Sequence, residues 1–343
     1  MSRAEGVLPG NTTAWVVTDG KIGDEVQCFG LASALGLEPE RRLIAPRRLF
    51  AALMPWGPVD PREAAHRPGS PIAPPWPDLL IASGRRTVPY MRFVRKASRG
   101  RTFTVFLKDP YTGAGTADVI CLPAHDTLRG DNVVVALTLP HGLTRDLFEA
   151  ARAQQDPRLA HLPHPRLGLM LGGVSAHFSF TDGDAARLAA IAVQHAVEGY
   201  GVMVTPSRRT PPELLEAMRT ALETAGLLGA RAFVWDRSGT NPYANILALA
   251  DALIVTGDSV NMVGEAVFTG KPVHVYVPGG KGHPKMTLFL DRLVAAGAVR
   301  RYRGVIEDYA YEAVDSTPFF ARAVAEKYAR WRKTMAINWE NVP

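Results

Sequence analysis

Thr256-Gly-Asp-Ser-Val-Asn-Met-Val-Gly-Glu-Ala-Val-Phe-Thr-Gly-Lys-Pro-Val273 carries one complete strand-to-helix-to-strand transition. It follows the apolar run Ala252-Leu-Ile-Val-Thr256 and leads into Val273-His-Val-Tyr-Val277. Short apolar runs that do not alternate belong to strands covered on both faces, which is the condition of a parallel sheet. Between the two runs, Asp258 and Ser259 are helix-capping types, and Val260, Met262, Val263, Ala266 and Val267 recur at helical spacing. Gly270 ends the helix and Pro272 cannot continue it. Such a turn brings unsatisfied N–H groups and the positive end of a helix dipole to the carboxyl end of a strand, where anions bind. Glu265 stands two turns along, a rise of about 10 Å from Asp258. A nucleoside diphosphate fits this spacing, with its diphosphate at Gly257, Asp258 and Ser259 and both ribose hydroxyls donating to Glu265. The competing assignment makes Asp258 and Ser259 plain caps and Glu265 a solvated residue. The apolar character of the rest of the helix weighs against it.

The same alternation extends outward in both directions. Downstream of residue 160, strands are predicted over residues 166–171, 201–205 and 231–235, with helices over 184–199, 211–225, 241–250 and 285–297. Upstream, a strand at 14–18 runs into the glycine-rich loop 19–23 and a helix at 24–35. Strands at 79–82, 102–107, 119–122 and 133–138 and a helix at 88–97 follow. Eight prolines between Pro55 and Pro77 predict an irregular surface excursion. The pattern is α/β throughout, with a junction expected at residues 156–165. Residues 1–160 then form one Rossmann-like domain, residues 161–316 a second, nucleotide-binding one, and residues 317–343 a helix that packs back on the first.

The chain has 343 residues, 47% of them apolar, and no apolar run near the roughly 18 to 20 residues of a membrane span. Cys28 and Cys121 are its two cysteines, which excludes a disulfide scaffold or a cysteine zinc site. The first residues lack the charged start and apolar core of a secretory signal, so a cytoplasmic setting is expected, extending to a peripheral place on the inner membrane. The net charge of +6 is uneven. From residue 41 to residue 108, the stretch opening on Arg41 and closing on Lys108, 12 Arg and 2 Lys face Asp60, Glu63 and Asp78, a balance of 14 − 3 = +11. With Trp56, Trp76, Tyr90 and Phe93 interspersed, this composition suits an anionic membrane surface. A solvated basic face is the alternative. No nucleic-acid-binding module is present, and no nucleic acid partner is expected.

Several motifs are decoys. Five residues rather than four separate Gly264 from Gly270, and Pro272 replaces the Ser/Thr of a P-loop. Asp182-Gly-Asp184 precedes a helix and reads as a cap, while His161 and His164 lack Cys or carboxylate company, so no metal is expected.

Residues 256–273 resemble the nucleotide-sugar signature of GT-B glycosyltransferases such as the peptidoglycan N-acetylglucosaminyltransferase and the Kdo transferase of lipid A synthesis. More closely, the chain resembles the elongated-mitochondria family, named for a plant mitochondrial-fission factor and with many bacterial members. Its shared motifs are Gly23-Asp-Glu-Val-Gln-Cys28, Ser83-Gly-Arg-Arg-Thr87, Lys108-Asp-Pro110 with Pro123-Ala-His-Asp126, Leu171-Gly-Gly173, Ser207-Arg-Arg-Thr210 and the stretch from Gly257 to Pro272. The resemblance implies a GT-B-like fold, two doubly wound Rossmann-type domains facing a cleft. It also implies metal-independent transfer of a sugar from a nucleotide sugar, as substrate and without cofactor, to a cell-envelope or lipid-linked acceptor.

Other loops follow predicted strands, where open α/β sheets place ligands. Gly172, Gly173 and Ser175 let backbone approach a phosphate or ribose, as the corresponding GT-B loop does. Ser207 and Arg208, with Arg209, offer a hydroxyl and guanidinium forks to phosphate oxygens. Lys281, His283 and Lys285 lie on a flexible basic loop suited to closing over the sugar or diphosphate. By position in the GT-B pattern, Asp24 is the candidate base for the acceptor hydroxyl, with Asp19 and Glu25 competing. Lys21, Gln27, Ser83 and Arg85 line the acceptor side, and His125 with Asp126 reads as structural. Two alternatives remain: a nucleotide-sugar epimerase of the same fold, and a non-catalytic membrane adaptor.

Overall fold

Every apolar run read above as a strand is a strand in the computed structural model, which describes residues 6–340 and side chains through residue 335. The chain forms two units, one from the residues up to Gly142 together with those from Asp315, the other Leu143–Val314.

In the first unit the elements are β1 (Ala14–Thr18), α1 (Ile22–Ala34), β2 (Glu40–Leu43), α2 (Arg48–Leu53), β3 (Leu79–Ser83), α3 (Val88–Ala97), β4 (Phe103–Leu107), β5 (Val119–Pro123) and β6 (Val133–Ala136). The strands pair in parallel in the order β2-β1-β3-β4-β5-β6. Every residue of β1, β3, β4 and β5 is buried, because both faces of the sheet are covered. Val16, Ile81 and Val105 pack with Leu31 and Leu35 of α1 and with Phe320, Val324 and Tyr328. On the other face Trp15, Val17, Leu80 and Phe106 pack with Tyr90, Met91 and Val94 of α3. β2 and α2 have no counterpart in the sequence reading. Glu40, Arg41 and Arg42 make β2 a charged, exposed edge that carries no apolar run. Residues 55–77 are irregular apart from one 3₁₀ turn at Pro61–Glu63.

The second unit contains α4 (Arg145–Ala153), α5 (Pro157–Ala160), β7 (Arg166–Leu171), α6 (Asp182–Val197), β8 (Gly201–Pro206), α7 (Pro212–Thr224) and β9 (Ala232–Val234). It continues with α8 (Tyr243–Leu249), β10 (Ala252–Thr256), α9 (Val260–Val267), β11 (Val273–Tyr276), α10 (Pro284–Ala295) and β12 (Arg300–Arg301). Its sheet is also all parallel, in the order β12-β11-β10-β7-β8-β9. The chain then returns to the first unit as α11 (Thr317–Glu340), where Tyr328 meets Phe103 edge-on at 5.4 Å between ring centres. The junction expected at residues 156–165 lies instead at residues 142/143. Phe148 of α4 packs on Phe268, 5.3 Å between centroids, and Arg152 donates to the Ala248 carbonyl at 3.0 Å, so α4 is part of the second core.

Strand order places the candidate edges. In the first sheet β1 leads to β2 on one side and the chain then crosses to β3 on the other, so winding reverses between β1 and β3. In the second sheet it reverses between β7 and β10. At such a reversal the loops at the carboxyl ends diverge and leave a crevice.

Candidate functional site

At the second reversal the loops after β7, β8 and β10 are tied to one another. The Gly172 N–H donates to Thr256 Oγ1 at 2.7 Å, and the Gly173 N–H donates to Asp258 Oδ2 at 2.8 Å. The Thr256 hydroxyl donates to Asp258 Oδ1 at 2.7 Å. The two amides expected to approach a ligand phosphate therefore already serve a threonine and a carboxylate of the protein. The glycines are required by close backbone approach. A Cβ on Gly172 would lie 2.1 Å from both Asp258 oxygens, and one on Gly173 would lie 2.1 Å from the Arg209 carbonyl carbon. Burial pushes the Asp258 carboxyl up, while Thr256, the Gly173 amide and the Arg209 charge pull it down. Ser259, and not Asp258, caps α9, its hydroxyl accepting from the Met262 N–H at 3.4 Å.

Ser207 closes a local turn, accepting from the Arg209 N–H at 3.2 Å and lying 3.1 Å from Thr210 Oγ1. The Ser175 hydroxyl likewise accepts from the Phe178 N–H at 3.2 Å. Arg208 and Arg209 are exposed, and the Arg209 guanidinium donates to the Val174 carbonyl at 3.4 Å. Glu265 accepts a short hydrogen bond from the Tyr243 hydroxyl at the start of α8. Burial raises its carboxyl to about 7, against the downward pull of that hydroxyl. Burial, with the Glu265 pairing, pushes the Tyr243 phenol well above its ordinary range.

The loop after β11 is fastened to the one before α6. The Gly279 N–H donates to Asp184 Oδ2 at 3.2 Å, and the Gly282 N–H donates to the His177 carbonyl at 3.1 Å. Asp184 forms a capping box with Thr181. His283 caps α10, Nδ1 accepting from the Lys285 N–H at 3.1 Å, and its ring meets His177 edge-on at 4.3 Å. Burial and the neighbouring His177 and Lys285 charges hold its pKa down. Lys281 at the loop tip is exposed.

At the first reversal, Asp24 on the first turn of α1 accepts from Lys108 Nζ at 2.5 Å and from the Ser83 hydroxyl at 3.1 Å. Lys108 follows β4 in a left-handed conformation, φ 73°. Glu25, the other competing acid, accepts from Arg41 Nη2 at 2.6 Å and from the Thr18 hydroxyl at 3.0 Å. The Asp19 side chain is 2% exposed and forms ion pairs with Lys21 at 3.1 Å and Arg86 at 3.6 Å. Neither of its oxygens accepts a hydrogen bond among the described residues. Gln27 is buried on α1. Arg85 donates to the Met54 carbonyl at 2.7 Å, and Arg86 is the arginine that pairs with Asp19. His125 and Asp126 are buried. Among the described residues no group of three or more His, Cys, Asp or Glu gathers as a metal shell.

The family model described as mitochondrial fission ELM1 matches residues 22–328. The chain belongs to the mitochondrial fission ELM1 family. It is 26% identical over 289 residues to the mitochondrial fission protein ELM1 of Arabidopsis thaliana, covering 76% of this chain and 64% of that one. It is 22% identical to the uncharacterised protein RP120 of Rickettsia prowazekii, over 91% of this chain and 96% of that one. Among solved structures, a putative UDP-N-acetylglucosamine 2-epimerase from Listeria monocytogenes superposes with a TM-score of 0.53 at 12% identity, covering 97% and 98% of the two chains. That likeness is one of fold, and the ELM1-family chain has the GT-B-like, two-unit α/β fold expected from its sequence.

Sequence reasoning missed several groups in this ELM1-family chain. Tyr243 is 22 residues from Glu265, and no local signal joins them. Lys108 stood in a shared motif without a role. The basic stretch is also less free than its composition suggests: Arg41, Arg42, Arg47, Arg86, Arg95 and Lys108 all pair with carboxylates. Among the described residues no helix is long and apolar enough to cross a membrane.

Proposed function

We propose that the protein is a nucleotide-sugar transferase. On this reading the second unit holds the nucleotide sugar at the carboxyl ends of β7, β8 and β10. Glu265 accepts from the ribose hydroxyls and shares them with the Tyr243 hydroxyl. Since the Gly172 and Gly173 amides donate inward, the diphosphate is assigned to the amino end of α9 at Ser259 and to Arg208 and Arg209. Guanidinium forks and a helix end together neutralise the leaving group. The observation that carries the reading is Glu265, the one charged side chain of a helix that begins at the sheet's point of reversal.

Acceptor chemistry is assigned to the first unit. Asp24 and Asp19 are the candidate bases for an incoming hydroxyl; Asp24 is held by Lys108 and Ser83, and Asp19 by the ion pairs to Lys21 and Arg86. The exposed Arg48, Arg62, Arg67, Arg92 and Arg99 favour an anionic envelope or lipid-linked source for that hydroxyl. Two carboxylates on one edge also suit epimerisation, and product analysis without acceptor separates the two reactions.

Melting-temperature shifts and titrations with UDP, GDP, ADP and CMP sugars test the reading. One nucleotide is expected to stabilise the protein, and Glu265→Ala is expected to weaken it about tenfold or more, the loss of charge-assisted bonds to a ribose. No stabilisation by any of them overturns it.

A further inference from the structure

At the edge of the first sheet where the strands begin, opposite the Asp19 and Asp24 carboxylates, lies a cavity of about 560 Å³. Trp76 and Asp78, leading into β3, form one wall, and Ser98, Arg99, Arg101 and Thr102, joining α3 to β4, form the other. Its shape follows from how α3 ends. Arg99 and Gly100 take left-handed φ values of 54° and 73°, and their amides donate back to the carbonyls of Lys96 and Arg95. That turn sets two exposed guanidinium side chains on either side of Gly100. Arg99 has no ion-pair partner among the described residues, and the nearby carboxylates are engaged. Asp118 accepts from Arg95 and Thr104, and Asp78 accepts from the amide and hydroxyl of Thr13.

Thr102 supplies an independent observation. It is 1% exposed, and its hydroxyl has no hydrogen-bond partner among the described residues. Native proteins rarely leave a buried hydroxyl unpaired, because the lost solvation is not recovered. Trp76 is fixed as a wall by its indole N–H, which donates to the Ile72 carbonyl at 3.1 Å.

We propose that this cavity is a second binding site, for a phosphomonoester, separate from the nucleotide edge. Arg99 and Arg101 hold the phosphate oxygens, the Thr102 hydroxyl donates to one of them, and the organic part lies against Trp76. A planar guanidinium matches phosphate oxygens two at a time, which an ammonium cannot do. The phosphate comes from a soluble organic phosphate or from a lipid headgroup.

The test titrates the full-length protein with glycerol 3-phosphate by calorimetry. It also pellets the protein with phosphatidylcholine vesicles containing phosphatidic acid or, at equal surface charge, phosphatidylglycerol. Saturable binding of glycerol 3-phosphate without pelleting supports the soluble source. Pelleting with phosphatidic acid alone, reversed by glycerol 3-phosphate, supports the headgroup. In either case Arg99→Ala with Arg101→Ala should abolish binding. Thr102→Val should leave the ligand-free melting temperature unchanged or higher while weakening binding about tenfold, as expected for a lost bond to a charged group. Binding should persist in Glu265→Ala. The proposal is overturned if neither source binds, if both vesicle types pellet the protein equally without competition, or if neither variant changes binding. It is also overturned if Glu265→Ala abolishes binding, which would place the phosphate at the nucleotide edge.

Discussion

Glu265 titrates at about 7 because its surroundings disfavour the charged form. Its folded pKa lies above the ordinary 4.5. The native state therefore binds more protons than the unfolded chain between those values, and stability falls as pH rises through that window. At about 1.4 kcal/mol per unit, the cost above pH 7 is at most roughly 3 to 4 kcal/mol. Glu265→Gln keeps an acceptor for Tyr243 and should melt higher than the parent at pH 8, with the gap closing towards pH 5. A gap independent of pH would show that ionisation at this position costs nothing. On the proposed assignment of Glu265 to the ribose, nucleotide affinity should have the opposite sense, falling below pH 7 as that carboxylate is protonated. Gly173 marks the other residue-scale constraint. A methyl there meets backbone rather than a movable side chain, so Gly173→Ala should lower stability by about 2 kcal/mol or more, read from the urea midpoint.

At the scale of elements, the excursion between α2 and β3 is held by one buried acid. Asp60, 1% exposed, accepts from the Arg47 amide and guanidinium and from the Arg62 amide. The Arg47 guanidinium holds its carboxyl well below the usual range. Its contribution is present above the unfolded pKa near 3.8 and is lost as pH falls through the folded value. Asp60→Asn should therefore destabilise the protein by about 2 to 4 kcal/mol at pH 7, and the difference should shrink in urea melts at pH 3. Elements differ in how plainly the sequence announces them. β1, β3, β4, β5, β7, β8 and β10 are buried on both faces and read as apolar runs. β2 and β12 lie at sheet edges, carry arginines and contact the core on one side at most, so hydropathy passes over them. α2 is six residues long, too short to show a period.

For the whole molecule, two sheets with separate cores let the proposed nucleotide binding be tested as a property of one of them. Hydrogen exchange with the stabilising nucleotide sugar should slow at residues 172–178, 207–210 and 256–262 and leave the amino ends of β3 and β4 unchanged. Protection confined to the first unit would overturn the assignment. The sequence by itself determined the α/β class, the two-unit plan and the strand-end loops, because burial on both faces and helix termination are local in the chain. Tertiary structure alone decided which contacts the candidate residues make. It turned the Gly172 and Gly173 amides onto Thr256 and Asp258, sent Arg85 to Met54, paired Asp24 with Lys108, and set Tyr243 on Glu265. It also placed α4 in the second unit. Each of these contacts joins positions well apart in sequence, and the tertiary arrangement within each unit, which hydropathy does not encode, brings the partners together.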